Sequence, residues 1–309
     1  MMTLPLSADM AMTTAMTTAA TPTPATAAAT AASDFVARRQ FAPCYIWLDI
    51  MFLVLYAALL LWRRRRMTVL VGLVAGLLYF AVDFGIFHLA LHTRSISPNA
   101  SLFWVLAWMS MSYGFTNFSW IWLYLRRDDR LVEWSTLIFG WWFCAPLITQ
   151  TITSRFLPAQ AADPIVIQRT TGAYHGWMAL ILFAGYAALV VYNLGFAARP
   201  ALRVDIRWLL VCGIGIQFAW ELALLLGGIR SAGLSAAQSL RPLVIDSLLE
   251  TNLGMPYVYL IFLAVSARWH EDLGARTPAL SLAQSLEASN MSRRPFTVAA
   301  IRGGRRPTD

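Results

Sequence analysis

From Pro43 onward the chain alternates long apolar runs with short polar breaks that carry arginine. Seven runs lie near 43–62, 67–91, 101–125, 131–152, 174–196, 206–228 and 243–267. Each approaches the ~20 residues a helix needs to cross a bilayer. The pattern predicts an all-α, polytopic membrane protein: a seven-transmembrane-helix bundle over residues 43–269. Residues 1–42 are rich in Ala and Thr, and residues 270–309 in Arg and Ser. Neither stretch holds enough apolar surface for a core, so a disordered leader and a disordered basic tail are expected. No basic region precedes an apolar run in the leader, so it does not read as a signal peptide. No internal repeat is visible, which argues against an inverted-repeat transporter.

Composition agrees with the pattern. The chain of 309 residues is 58% hydrophobic and 13% charged, with mean hydropathy +0.58. That suits a multi-pass membrane protein rather than a soluble domain. The formal charge of +8 resides in arginines of the breaks and tail, so it does not point to nucleic acid. There is no lysine, which excludes a retinal Schiff base and any lysine nucleophile. Cys44, Cys144 and Cys212 are scattered and imply no disulfide framework. Seventeen arginines fall on one side of the predicted bundle and seven on the other: Arg38, Arg39, Arg94, Arg155, Arg169, Arg230 and Arg241. The positive-inside rule then puts the N-terminus outside and the C-terminus in the cytoplasm, as for a bacterial plasma-membrane protein. The longest connection, about 153–173, lies outside and is placed to cover a site.

The polar positions inside the runs are few and acidic. Asp49, Asp83, Glu221, Asp246 and Glu250 fall in one layer toward the outer side, with no basic residue expected at that depth. A charge inside a bilayer costs at least ~2.5–3.5 kcal/mol, so such groups usually face the bundle interior and mark a site. The plainer alternative is polar glue between helices. Asp246 and Glu250, four apart, share a helical face that Gly254 and Tyr257 continue, and Asn252 lies nearby. Gln217 shares a face with Glu221, and Gly213 extends it for close helix approach. Tyr79, Asp83 and Phe87 form a third face. Acids in aromatic surroundings suit protonation of an alkene or epoxide.

Trp104, Trp108, Tyr113, Trp142, Phe143, Trp177, Trp220 and Tyr257 crowd the same layer. Their rings stabilise a cation by ~0.5–2 kcal/mol each, or serve as packing and interfacial belt, the role that suits Trp104 and Trp177. His88 and His92 have the spacing of a helical metal pair, and His175 lies on the same side. Asp83 points well away from both at ~100° per residue, which disfavours a zinc site.

Trp220-Glu221, Leu224-Leu225, Gly228-Ile229-Arg230 and Ser247 to Pro256 (SLLETNLGMP) resemble the integral membrane terpene cyclases of fungal meroterpenoid and indole-diterpene pathways and their actinobacterial relatives. The resemblance covers about 43–267. It implies a metal-independent isomerase or lyase of terpenoid secondary metabolism, without cofactor. An acid in the second helix and one in the last would start cation cyclisation of a prenylated, epoxy- or alkene-terminated substrate. By position these are Asp83 and Glu250, with Glu221 as a third catalytic acid. Val82-Asp83 stands where the family usually has Trp-Glu. Asp246, Asn252, Gln217, Trp108, Tyr113, Trp220 and Tyr257 would bind substrate. The expected partners are the lipid bilayer, a lipophilic prenylated substrate, and a prenyltransferase or epoxidase of the same pathway. Two rivals stand beside this reading: a proton- or cation-coupled carrier or seven-helix sensor, and a zinc-dependent lipid hydrolase using His88, His92 and His175.

Overall fold

The computed structural model describes residues 37–170, 174–197, 203–231 and 235–269. The leader's first 36 residues and the tail from 270 lie outside these. Eight helices occur among the described residues: α1 (Pro43–Trp62), α2 (Arg66–Ala90), α3 (Leu102–Leu125), α4 (Leu131–Phe156), a short α5 (Pro158–Ala162), α6 (His175–Phe196), α7 (Ile206–Leu226) and α8 (Ala236–Arg268). The seven predicted runs thus each coincide with a long helix. Six of these, all except α3, have the length and apolar composition of membrane spans, as in a multi-pass membrane protein.

The exception has a physical reason. α3 packs against α1, α2, α4, α7 and α8, so it is the central helix. Sixteen of its 24 residues are buried, among them Ser110, Ser112, Thr116, Asn117 and Ser119. A helix surrounded by other helices meets little lipid and can carry hydroxyls and an amide. It meets α2 closely through glycine: a Cβ on Gly114 would sit 2.6 Å from the Gly76 Cα. The outer surface is the reverse, with Val54, Leu77, Phe183 and Leu260 exposed. Trp104 and Trp177 are turned outward, as belt residues are.

Local sequence explains the helix limits. Pro43 opens α1 at a position where its missing N–H is no loss. Ser235 and Gln238 form a capping box that starts α8 seven residues earlier than the apolar run suggests. α2 changes to π-helical winding over Ala81–Ala90, the stretch that carries Asp83.

A three-stranded antiparallel sheet was not expected. β1 (Ala37–Phe41) pairs with the central β3 (Ile165–Arg169), which also pairs with β2 (Arg94–Ile96). Residues 37–41, expected within the disordered leader, are therefore ordered strand. The connection expected to cover a site supplies α5 and the central strand.

Candidate functional site

Strand side chains alternate between faces. In β3, Ile165, Ile167 and Arg169 are buried while Gln168 is exposed. The register pairs Arg39 with Ile167 and Arg94 with Arg169. Each strand thus turns one arginine inward, onto the helices, and all three are buried. Nε of Arg94 donates to Asp83 Oδ1 at 2.8 Å, and its Nη2 bonds the same oxygen. Arg169 Nη2 lies 3.5 Å from that oxygen.

A fourth arginine arrives from the turn after α7. Gly228, at φ +78, permits the tight reversal that returns Arg230 toward Glu221. Arg230 Nε and Nη2 donate to Glu221 Oε2 and Oε1, both at 2.8 Å. Nη2 also donates to Asp246 Oδ2 at 3.0 Å. Arg39 Nη2 stands 3.8 Å from Glu221 Oε1, and its guanidinium lies over the Trp220 ring.

The expectation that no basic residue reaches the acids is therefore overturned. Four of the seven arginines assigned to outer loops fold back beneath the sheet and pair with the acids. Buried charges persist only when matched and hydrogen-bonded. Burial, with Arg230 and Arg169 nearby, pushes the Arg39 guanidinium down to about 10. Burial and Arg169 push Arg94 down to about 10. Burial works against Arg169 as well, but Asp83 and Glu250 outweigh it and hold its charge more firmly than usual.

Glu250 differs from its neighbours. It is half-buried and makes no ion pair among the described residues. Gln217 Nε2 donates to its Oε2 at 3.0 Å. The Gln217 orientation is fixed because its Oε1 accepts from Tyr113 Oη at 2.6 Å and from Thr251 Oγ1 at 2.5 Å. Glu250 lines a small cavity, about 10 Å³ and so roughly water-sized, with Arg39, Tyr79, Asp83, Met109, Ser110, Tyr113 and Arg169. A second small cavity, about 20 Å³, shares Arg39 and Met109 and is otherwise mainly aromatic and aliphatic: Phe41, Tyr45, Trp108, Ser112, Trp220, Leu224 and Ile229. Trp108 Nε1 donates to Asp49 at 2.9 Å, and Trp141 Nε1 donates to it at 3.4 Å. Asp49 makes no ion pair among the described residues, so it joins the site through Trp108 rather than through the arginines.

Of the predicted residues, Asp83, Glu221, Asp246, Glu250, Gln217, Tyr113, Trp108 and Trp220 come together here. Two do not. Tyr257 is 42% exposed and donates to the Ile181 carbonyl of α6 at 3.1 Å. It shares the Glu250 face, but seven residues set it ~10 Å further along the helix, where α8 packs on α6. Asn252 accepts from Tyr186 Oη of α6 at 2.6 Å and packs against Gly213, where a Cβ would meet its Oδ1 at 2.9 Å. It serves helix packing. Gly213 does provide the close approach its position suggested.

The four arginines were missed as site residues. Alternation in Ala37–Phe41 and Ile165–Arg169 was the available signal: an arginine two residues from a large apolar side chain on the same strand face. Among the described residues, the one trio with ligand atoms grouped for a metal ion is Glu221, Asp246 and Glu250, all within 4.8 Å. Arg230 already binds two of its members. His88, His92 and His175 form no such group among the described residues. The chain matches no family model, no curated protein and no solved structure.

Proposed function

We propose that the protein is an intramembrane cyclase of prenylated substrates, spanning the bilayer seven times with the sheet on the non-cytoplasmic side. The observation that carries this reading is the position of Glu250. It is the one acid of the arginine cluster without an ion pair, and it faces a cavity walled by Tyr79 and Tyr113 beside an aromatic chamber. Glu250 is assigned the role of proton donor. Its proton passes to the epoxide oxygen or terminal alkene of a folded prenyl chain, and the resulting cation is attacked by the next double bond. Ring faces of Trp108, Trp220 and Tyr113 stabilise the moving positive charge. The last step returns a proton to the site, from a carbon next to the cation or from an oxygen that closes the ring. The reaction is then an isomerisation with no net proton consumed.

Asp83 takes a different part from the one its position in the sequence suggested. Held by Arg94, it is an ionised anchor for the sheet rather than a second donor. Gln217 orients Glu250, and the Glu221–Arg230–Asp246 group fixes α7 against α8 beside it. A cation carrier draws support from the three clustered carboxylates, but the guanidinium of Arg230 among them opposes cation binding.

The test feeds an epoxidised prenyl-aromatic substrate to membranes containing the protein. Cyclised product is expected from wild type and not from Glu250→Gln. Product formed equally by Glu250→Gln removes this reading.

A further inference from the structure

Two buried guanidinium groups beside Glu250 each have an Nε without a hydrogen-bond partner. Nε of Arg39 has none, and its ion pair with Glu221, at 3.8 Å, is beyond hydrogen-bond distance. Nε of Arg169 has none either. Its 3.5 Å neighbour, Asp83 Oδ1, is already shared by two nitrogens of Arg94. Ser110 Oγ, 1% exposed, is a third polar atom without a partner. Arg39, Arg169 and Ser110 all line the Glu250 cavity, and Arg39 is 5% and Arg169 8% exposed. Leaving buried charged donors unpaired is costly, because they have given up water without replacing it.

The ion pairs are unevenly shared. Arg94 and Arg230 lie 2.5–3.0 Å from Asp83, Glu221 and Asp246, whereas Arg39 and Arg169 stand 3.8 and 3.5 Å from oxygens those arginines already occupy.

We propose that the substrate carries an anionic oxygen head, such as a carboxylate, one oxygen of which takes the water-sized space between Arg39 and Arg169 beside Ser110, with its apolar tail directed toward Phe41, Trp108 and Trp220. This rests on the cyclase reading for the tail and on the unpartnered donors for the head. Guanidinium pairs with carboxylate oxygens in a fork geometry, which gives register as well as affinity. Anchoring the head there would fix where along the folded prenyl chain the Glu250 proton is delivered.

The experiment measures binding to the purified full-length protein in phosphatidylcholine nanodiscs, with farnesoic acid and its methyl ester as probes. The acid is expected to bind at least ~10-fold more tightly than the ester, the ratio of one charge-assisted contact. Arg39→Gln and Arg169→Gln should each abolish that preference while ester affinity stays within about twofold, and Arg39→Lys should keep part of it. Equal binding of acid and ester by wild type overturns the proposal, and so does a preference that survives both glutamine variants. Where a variant does not fold, the wild-type ratio decides. Acid binding that disappears in phosphatidylglycerol nanodiscs also overturns it, by assigning the head site to a lipid phosphate. Glu250→Gln separates the two readings. Retained acid preference without turnover in any variant, wild type included, removes the cyclase alone. Equal cyclisation of acid and ester substrates removes the head site alone.

Discussion

Asp83 and Arg94 lie eleven residues apart and meet through one carboxylate oxygen that accepts from both Nε and Nη2 of the guanidinium. The contact closes the end of α2 back onto itself through β2 and fixes the sheet above the cavity. Removing one partner of a buried ion pair costs about 3–5 kcal/mol, because the other is left unmatched. Asp83→Asn should therefore lower thermal stability in detergent by that order. The double variant Asp83→Asn with Arg94→Gln should recover part of the loss, leaving Arg169 as the remaining unmatched charge. A double-mutant cycle on unfolding midpoints measures the coupling.

Glu250 and Glu221 should separate activity from stability. Glu250→Gln breaks no ion pair, and its amide can still accept from Gln217, so the stability cost should be about 1 kcal/mol or less while cyclisation is lost. Glu221→Gln leaves Arg230 with Asp246 alone and should cost more, up to about 3–5 kcal/mol. Thermal melts of the two variants, run beside product assays, give the comparison. Similar melts for both would contradict the assignment of Glu221 to the buried pair.

The α2–α3 contact tolerates nothing larger than glycine at Gly114. A Cβ there meets Gly76 Cα at 2.6 Å and Ala75 O at 3.0 Å, both backbone atoms that cannot swing aside. Gly114→Ala should destabilise by about 1–3 kcal/mol, readable as a lower midpoint. Gly140→Ala, with open space around it, should not.

Tyr257→Phe should leave cyclisation unchanged. It removes one hydrogen bond to the Ile181 carbonyl at a half-exposed position, worth about 0.5–1.5 kcal/mol. A large loss of turnover would place Tyr257 at the site after all.

The helices were legible because each is a long apolar run, and the acids stood out because such residues are rare in lipid. The sheet was not legible. Its strands are three to five residues long, carry arginine, and pair Ala37–Phe41 with Ile165–Arg169 across more than a hundred positions. Loop arginines are normally topology signals, and nothing local distinguishes Arg38, which bonds Gln40, from its buried neighbour Arg39. Depth also escaped the sequence. Helical period gives the face of Tyr257 correctly but not its distance from Glu250 along the axis. Asn252, two residues on from Glu250, is turned about 200° away at ~100° per residue and meets Tyr186 instead.

The charged core is supplied by chain segments that are synthesised far apart. Arg39 comes before the first long helix, Arg94 follows the second, Arg169 follows the fourth, and Asp246 and Glu250 come with the last. Until α8 docks, Arg230 lacks one of its two carboxylates and Glu250 has no glutamine to hold it. Biogenesis therefore ends on an electrostatic closing step, and a chain cut short before α8 would carry surplus buried cations in its place.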